Sequence, residues 1–300
     1  MAREERIVKF TKMHGAGNDY VYVNCFNETV ENPASLAKMV SDRHFGIGSD
    51  GLILIRPSSQ ADFFMEMFNA DGSRSAMCGN GIRCVGKYVY DHGLTDKTDI
   101  TVNTLAGVKR LSLNVQDGRV DSVAVDMGRP VLDAGLVPVV ADESPVIAAP
   151  IRVAGRQFSM TCVSMGNPHA VVFVDDTASF PVAEIGPRLE MHPAFPERVN
   201  AEFVQVLGRG EINMRVWERG TGETLACGTG TCASVVACIL NGLTDDTVIA
   251  HLLGGDLTIR WDRESGHVFM TGPAVTVFEG VFDEDACPQD EPSHVVDPNW

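Results

Sequence analysis

Two stretches of the chain carry residue types suited to moving a proton on and off carbon. Cys78-Gly79-Asn80-Gly81 and Cys227-Gly228-Thr229-Gly230 each set one thiol ahead of a pair of glycines. The second motif lies 149 residues after the first (78 to 227), and more than the motif recurs at that offset. Gly17-Asn18 falls on Gly166-Asn167, and Gly93-Leu94-Thr95-Asp96 falls on Gly242-Leu243-Thr244-Asp245. Agreement on both sides of the motif, in two copies only, marks a duplicated domain and not a solenoid. Helix-forming runs follow each cysteine, at 82–90 and 231–240, and Gly93 and Gly242 stand where a helix stops on a positive φ. Each cysteine is therefore expected at a helix N-terminus, where unpaired N–H groups and the helix dipole favour negative charge. That setting should draw a thiol from its ordinary pKa of about 8.5 toward thiolate. The same amides, open past the glycines, can hold a carboxylate.

The elements that must hold these motifs follow from hydrophobic alternation and turn signals. Strands are expected at 7–12, 20–25, 52–55, 63–68, 100–103, 108–115 and 119–126, with Asp117-Gly118 as a hairpin turn. Asn32 then Pro33 opens a helix running to about residue 44. The glycine-rich segment 46–51 reads as a plain loop, since no Lys-Ser or Lys-Thr follows it to hold a phosphate. Residues 128–150, rich in proline and alanine without a clean period, read as the linker between halves. The second half repeats the pattern: strands near 157–163, 170–174, 203–207, 212–217, 248–251, 257–261, 267–270 and 275–282, and a helix over 182–191. Mainly antiparallel strands with one buried helix per half make this an α+β protein. Its two halves span 1–128 and 129–274, and 284–300 reads as a disordered tail.

Composition narrows the classes. Three hundred residues suggest about two domains, and 44% hydrophobic with 21% charged residues is the balance of a soluble globular chain. No apolar run reaches membrane-spanning length. The charged start, Met1-Ala2-Arg3-Glu4-Glu5-Arg6, is no secretory signal, so a cytoplasmic protein with mostly reduced cysteines is expected. A net charge of −16 without a basic stripe argues against nucleic acid.

Five segments together resemble diaminopimelate epimerase. They are His14-Gly15-Ala16-Gly17-Asn18-Asp19, Asn69-Ala70-Asp71-Gly72-Ser73, Met77-Cys78-Gly79-Asn80-Gly81-Ile82-Arg83-Cys84, Gly166-Asn167-Pro168-His169, and the run from Glu218-Arg219 through Ala226-Cys227-Gly228-Thr229-Gly230. The resemblance spans roughly residues 7 to 282. It implies two pseudo-symmetric domains, each a mainly antiparallel sheet curled around a central helix, with the site between them and strand 275–283 returning to the first half. It implies interconversion of LL- and meso-diaminopimelate, on the route to lysine and peptidoglycan precursors, without pyridoxal phosphate or metal, in a homodimer. By residue, it implies that Cys78 and Cys227 are the paired base and acid, with Cys78 taking the proton from the LL isomer. His169 and Glu218 would tune the thiols. Asn18, Asn69, Asn167, Asn200, Glu218 and Arg219 would hold the substrate, and the amides of Gly79, Asn80, Gly228 and Thr229 its reacting carboxylate. One departure stands out: some members carry a substrate-contacting glutamine where this chain has Gly51.

Other readings weigh less. Cys25, Cys84, Cys162, Cys232 and Cys238 suit a buried core, the commonest place for cysteine, and Cys287 lies in the tail. The four asparagines could be turn residues, and Glu218-Arg219 a surface pair. A zinc module from Cys78, Cys84, Cys227 and Cys232 lacks paired knuckle spacing. A proline racemase-like enzyme shares the thiol-pair logic, but it usually has histidine where Asn80 stands and proline where Ala226 stands. A thiol–disulfide oxidoreductase would need a resolving cysteine close by.

Overall fold

A computed structural model of the chain describes residues 7–284. The tail expected to be disordered, Cys287 included, lies outside the described residues except for Glu284. In chain order the first half runs β1 (Ile7–Gly15), β2 (Asn18–Asn24), α1 (Pro33–Ser41), β3 (Gly51–Arg56), β4 (Phe63–Asn69), β5 (Arg74–Ser75), α2 (Gly79–Asp91), β6 (Asp99–Thr104), β7 (Gly107–Gln116) and β8 (Arg119–Gly128). The second runs β9 (Ala149–Val153), β10 (Arg156–Ser164), β11 (Pro168–Phe173), α3 (Val182–Glu190), β12 (Asn200–Gly208), β13 (Glu211–Glu218), β14 (Gly222–Thr224), α4 (Gly228–Leu240), β15 (Thr247–Leu252), β16 (Gly255–Trp261), β17 (Val268–Pro273) and β18 (Val275–Asp283).

The 149-residue offset holds for whole elements. It carries β1 onto β10, α1 onto α3 and α2 onto α4 residue for residue. The ladders repeat as well. In the first half β1–β2 is antiparallel, β2–β3 parallel, β3–β4 antiparallel, β4–β6 parallel, and β6–β7–β8 antiparallel. In the second, β10–β11, β11–β12, β12–β13, β13–β15 and β15–β16–β17 follow the same alternation. The two runs meet where β8 pairs antiparallel with β17. At the far flanks β18 pairs along β1, and β9 along β10.

Each sheet wraps its own central helix. α2 packs on β1, β2, β7 and β8, and α4 on β10, β11, β12 and β16. Their inward residues share one apolar cluster that runs through both halves, from Val85 and Val89 of α2 to Val235 and Val236 of α4. Smaller clusters lie outside each sheet, under α1 and under α3. Both central helices end as their sequences predict. Gly93 and Gly242 have φ of 69°, with Leu94 N–H reaching back to Val89 O and Leu243 N–H to Cys238 O.

Strands β5, β9 and β14 are not expected from the sequence, and two longer segments also differ from expectation. α1 begins at Pro33 behind the Asn32 cap but ends at Ser41, three residues short of 44. The Asp42 carboxylate accepts from the His44 and Phe45 amides and turns the chain out of the helix. The proline- and alanine-rich segment 128–150 does more than connect. It buries Ala134, Val137, Val139 and Val146 in the cluster under α3. These residues gain by leaving water wherever they fit, with or without a regular period.

Candidate active site

Cys78 and Cys227 are the N-cap residues of α2 and α4, both in extended backbone conformation. The first residue of each helix is glycine, and the two glycines meet. A Cβ built on Gly79 would lie 3.9 Å from Gly228 Cα, and one on Gly228 would lie 3.7 Å from Gly79 Cα. The two helix N-termini therefore abut, with a thiol just before each. Asn80 ties them together, its Nδ2 donating to Ala226 O at 3.2 Å across the junction of the halves. The first-half turn at Ala16-Gly17 closes on Leu225 and Gly254 of the second half, so tightly that a side chain at Gly254 would strike Ala16 O.

Around Cys78 the contacts come from the first half. Sγ accepts from Gly81 N–H at 3.3 Å and donates to Asn18 Oδ1 at 3.1 Å. Asn18 is held in turn by its Nδ2 donating to Asp50 Oδ2 at 2.6 Å. Tyr20, alternating inward on β2, lies in the same buried cluster that Cys78 packs against. Arg83, wholly buried one turn into α2, donates to Gly79 O and Pro273 O at 3.2 Å each and has no carboxylate partner among the described residues.

Around Cys227 they come from the second half. Its Sγ is 3.5 Å from Thr229 Oγ1. Glu218, at the end of β13, faces this thiol and accepts from Thr224 Oγ1. His169 of β11 is fully buried, with Nε2 3.0 Å from Asn167 Oδ1 and Nδ1 2.7 Å from Glu202 Oε1. Asn200, beside His169 across the parallel ladder, donates to Pro168 O at 2.8 Å and accepts from the Arg219 amide at 2.9 Å. The Arg219 guanidinium is directed to Glu197 O at 3.0 Å on an exposed rim.

The structure thus brings Cys78 and Asn18 together on one side, and Cys227, Thr229, Glu218, His169, Asn167, Asn200 and Arg219 on the other, with Gly79, Asn80 and Gly228 at the seam. Asn69 stands further out. Its Nδ2 donates to Ser73 Oγ at 3.0 Å, and it faces Gly51 across β3–β4. At Gly51 any Cβ would lie 2.1 Å from Phe68 O, so this backbone has no room for a side chain, the glutamine expected from the resemblance included. Sequence reasoning passed over Tyr20, Arg83 and Glu202. Tyr20 and Glu202 each read as one more residue in an alternating strand, and Arg83 as part of a motif without a role.

One expectation is reversed. The helix N-termini do not leave the thiols with low pKa values. Burial pushes Cys78 up, against the pull of the Gly81 amide, Tyr20, the Asn80 amide and Arg83. Burial pushes Cys227 well above the ordinary thiol value, and the neighbouring charges of Glu218 and Glu202 add to it. Desolvating a thiolate outweighs a few partial charges when the site is closed. Burial is also the main push on the other core cysteines, Cys84 to about 11, and Cys162, Cys232 and Cys238 to about 12. Among the described residues no three His, Cys, Asp or Glu side chains converge to hold a metal ion, and no helix is long and apolar enough to cross a membrane.

Solved structures of similar fold include a hydroxyproline epimerase from Agrobacterium vitis with a TM-score of 0.65 at 17% identity, covering 93% of this chain and 92% of that one. A methylitaconate-delta-isomerase matches with a TM-score of 0.66 at 15% identity, covering 97% of this chain and all of that one. At these identities the likeness is one of fold. In sequence, the chain is 60% identical over 276 residues to a diaminopimelate epimerase of Acetivibrio thermocellus, covering 92% of this chain and 99% of the relative. It is 61% identical over 283 residues to one from Agathobacter rectalis, again covering 92% and 99%. It is 54% identical over 276 residues to one from Methanococcus maripaludis, covering 92% of this chain and all of the relative. The family model for diaminopimelate epimerase matches residues 10–132 and 161–277. Matched in both halves, and this similar to full-length relatives, the chain belongs to the diaminopimelate epimerase family.

Proposed function

We propose that the chain interconverts LL- and meso-diaminopimelate with Cys78 and Cys227 as the two proton-transferring groups. The abutting N-terminal glycines of α2 and α4 carry this reading, because each directly follows one of the two cysteines and so supports a shared site between them. The amides of Gly79, Asn80, Gly228 and Thr229 receive the carboxylate at the reacting carbon, and with the helix dipoles they stabilise the charge that grows on it in the planar carbanion. One cysteine, as thiolate, takes the α-proton and becomes a thiol. The other, as thiol, returns a proton to the opposite face and becomes a thiolate. The protons balance over one turnover, and the roles exchange in the reverse direction, so the scheme calls on no cofactor.

The surroundings favour Cys78 as the starting base on the LL isomer. Its pKa is raised less than that of Cys227, and its neighbours are N–H donors and the Arg83 cation rather than carboxylates. Asn18 orients the Cys78 thiol, while His169 and Glu218 bias the Cys227 side. Asn69, Asn167, Asn200 and Arg219 hold the ends of the substrate, and Arg219 leaves Glu197 O to grip the distal carboxylate in a two-point bond. In the cell this activity supplies lysine and peptidoglycan precursors from the cytoplasm. A homodimer is also proposed. β18 pairs only with β1 among the described residues, and it exposes Val275, Val277 and Val281 along an unpaired edge that a second copy would cover.

Incubation in deuterated water tests the substrate. LL-diaminopimelate should exchange its α-hydrogen and yield the meso isomer, while proline should not exchange. Exchange into proline without exchange into diaminopimelate would overturn the reading.

A further inference from the structure

Glu202 is a buried carboxylate for which packing gives no reason. It projects from β12 on the face toward α4, and its cross-strand neighbours on β11 and β13 are Val171 and Val216, both buried in the central apolar cluster. An ionisable group among valines is costly unless every oxygen is bonded. Only one is: Oε1 lies 2.7 Å from His169 Nδ1, and Oε2 has no partner among the described residues. Neither residue is exposed to solvent. The carboxylate also reaches the start of α4. A Cβ on Gly230 would fall 2.6 Å from Glu202 Oε1 and 3.3 Å from Cys227 Sγ, so both atoms close over Gly230 and leave no room for a methyl group there.

We propose that Glu202 is a positioning residue that fixes the His169 ring through Nδ1 and stands a negative charge beside Cys227, keeping that thiol protonated in the resting enzyme. With Glu202 at Nδ1 and Asn167 Oδ1 at Nε2, both ring nitrogens of His169 are engaged and the ring is held in one orientation beside the start of α4. The groups facing Glu202 are His169 on β11, Glu218 on β13, Cys227 on α4 and Cys162 on β10. Glu218 adds to the negative field at Cys227. Among the described residues no carboxylate is bonded to Cys78, and the charged group acting on it is the buried Arg83 cation. The site is thus polarised: the Cys227 proton is held more firmly than that of Cys78, so Cys78 is the thiol that ionises first. This rests on the thiol-pair reading above.

Alkylation tests it without any turnover. Iodoacetamide labelling is followed from pH 6 to 10, with the Cys78 and Cys227 peptides read separately by mass spectrometry. In the wild-type protein Cys227 should have the higher midpoint, while Cys84, Cys162, Cys232 and Cys238 stay unlabelled. In Glu202→Gln the Cys227 midpoint should fall by about one pH unit, about tenfold faster labelling at fixed pH, with Cys78 unmoved. An unchanged Cys227 profile in folded Glu202→Gln overturns the proposal. So does a wild-type Cys227 midpoint at or below that of Cys78, which decides the matter alone if the variant does not fold. Loss of the thiol-pair reading would instead appear as α-hydrogen exchange surviving removal of a cysteine, an independent result.

Discussion

A thiol ahead of a helix is pulled two ways, and burial wins at both cysteines. The direction of the helix pull was legible in the Cys-Gly pattern; its defeat was not, because desolvation depends on what closes over the site. Hydrogen bonds win the same contest at Asp62. This carboxylate accepts from Lys97 Nζ at 2.6 Å and from the Thr101 amide and hydroxyl at 2.8 Å each, and these hold its pKa down to about 2. A depressed acid stabilises the fold above its unfolded pKa of about 4, and the contribution fades as pH falls toward 2. Allowing for solvent screening, Asp62→Asn should cost about 1 kcal/mol at pH 7. Urea unfolding across pH should show that difference shrinking between pH 4 and pH 2. A gap of constant size down to pH 2 would refute the assignment.

Elements were legible to the degree that they repeat. An offset read from the cysteine motifs places α1 on α3 and α2 on α4 without slippage, because glycines at helix ends and close approaches tolerate little insertion. Three kinds of element escaped. The two-residue β5 and three-residue β14 are too short to show alternation. The packed part of 128–150 has no period to read. The inward direction of Glu202 looked like ordinary strand alternation, since polar residues alternate in any half-buried strand. Its burial follows from α4 lying across β12, a contact that joins residues far apart in the chain. Arg83 is similar: a helix-surface residue by sequence, it is enclosed by β17 of the other half through Pro273 O and Met270 Sδ.

At the scale of the molecule, the ladder through β8 and β17 makes the two halves one sheet system, and the convergence of α2 and α4 at their N-termini follows from that symmetry. β18 closes the first half by pairing along β1, with Phe10 packed between Phe278 and Phe282 at 5.8 Å each. Its outer edge carries the homodimer proposal. Sedimentation should give twice the chain mass for the wild type and the single-chain mass for Val277→Glu/Val281→Glu, and a monomeric wild type would contradict the dimer. The central claim is that two thiols, one from each half, act on opposite faces of one carbon. Its most direct measurement is turnover of LL-diaminopimelate in deuterated water by Cys78→Ser and Cys227→Ser. The account predicts that each variant alone loses epimerisation by at least about a hundredfold while remaining folded. Near wild-type epimerisation by either one would contradict it.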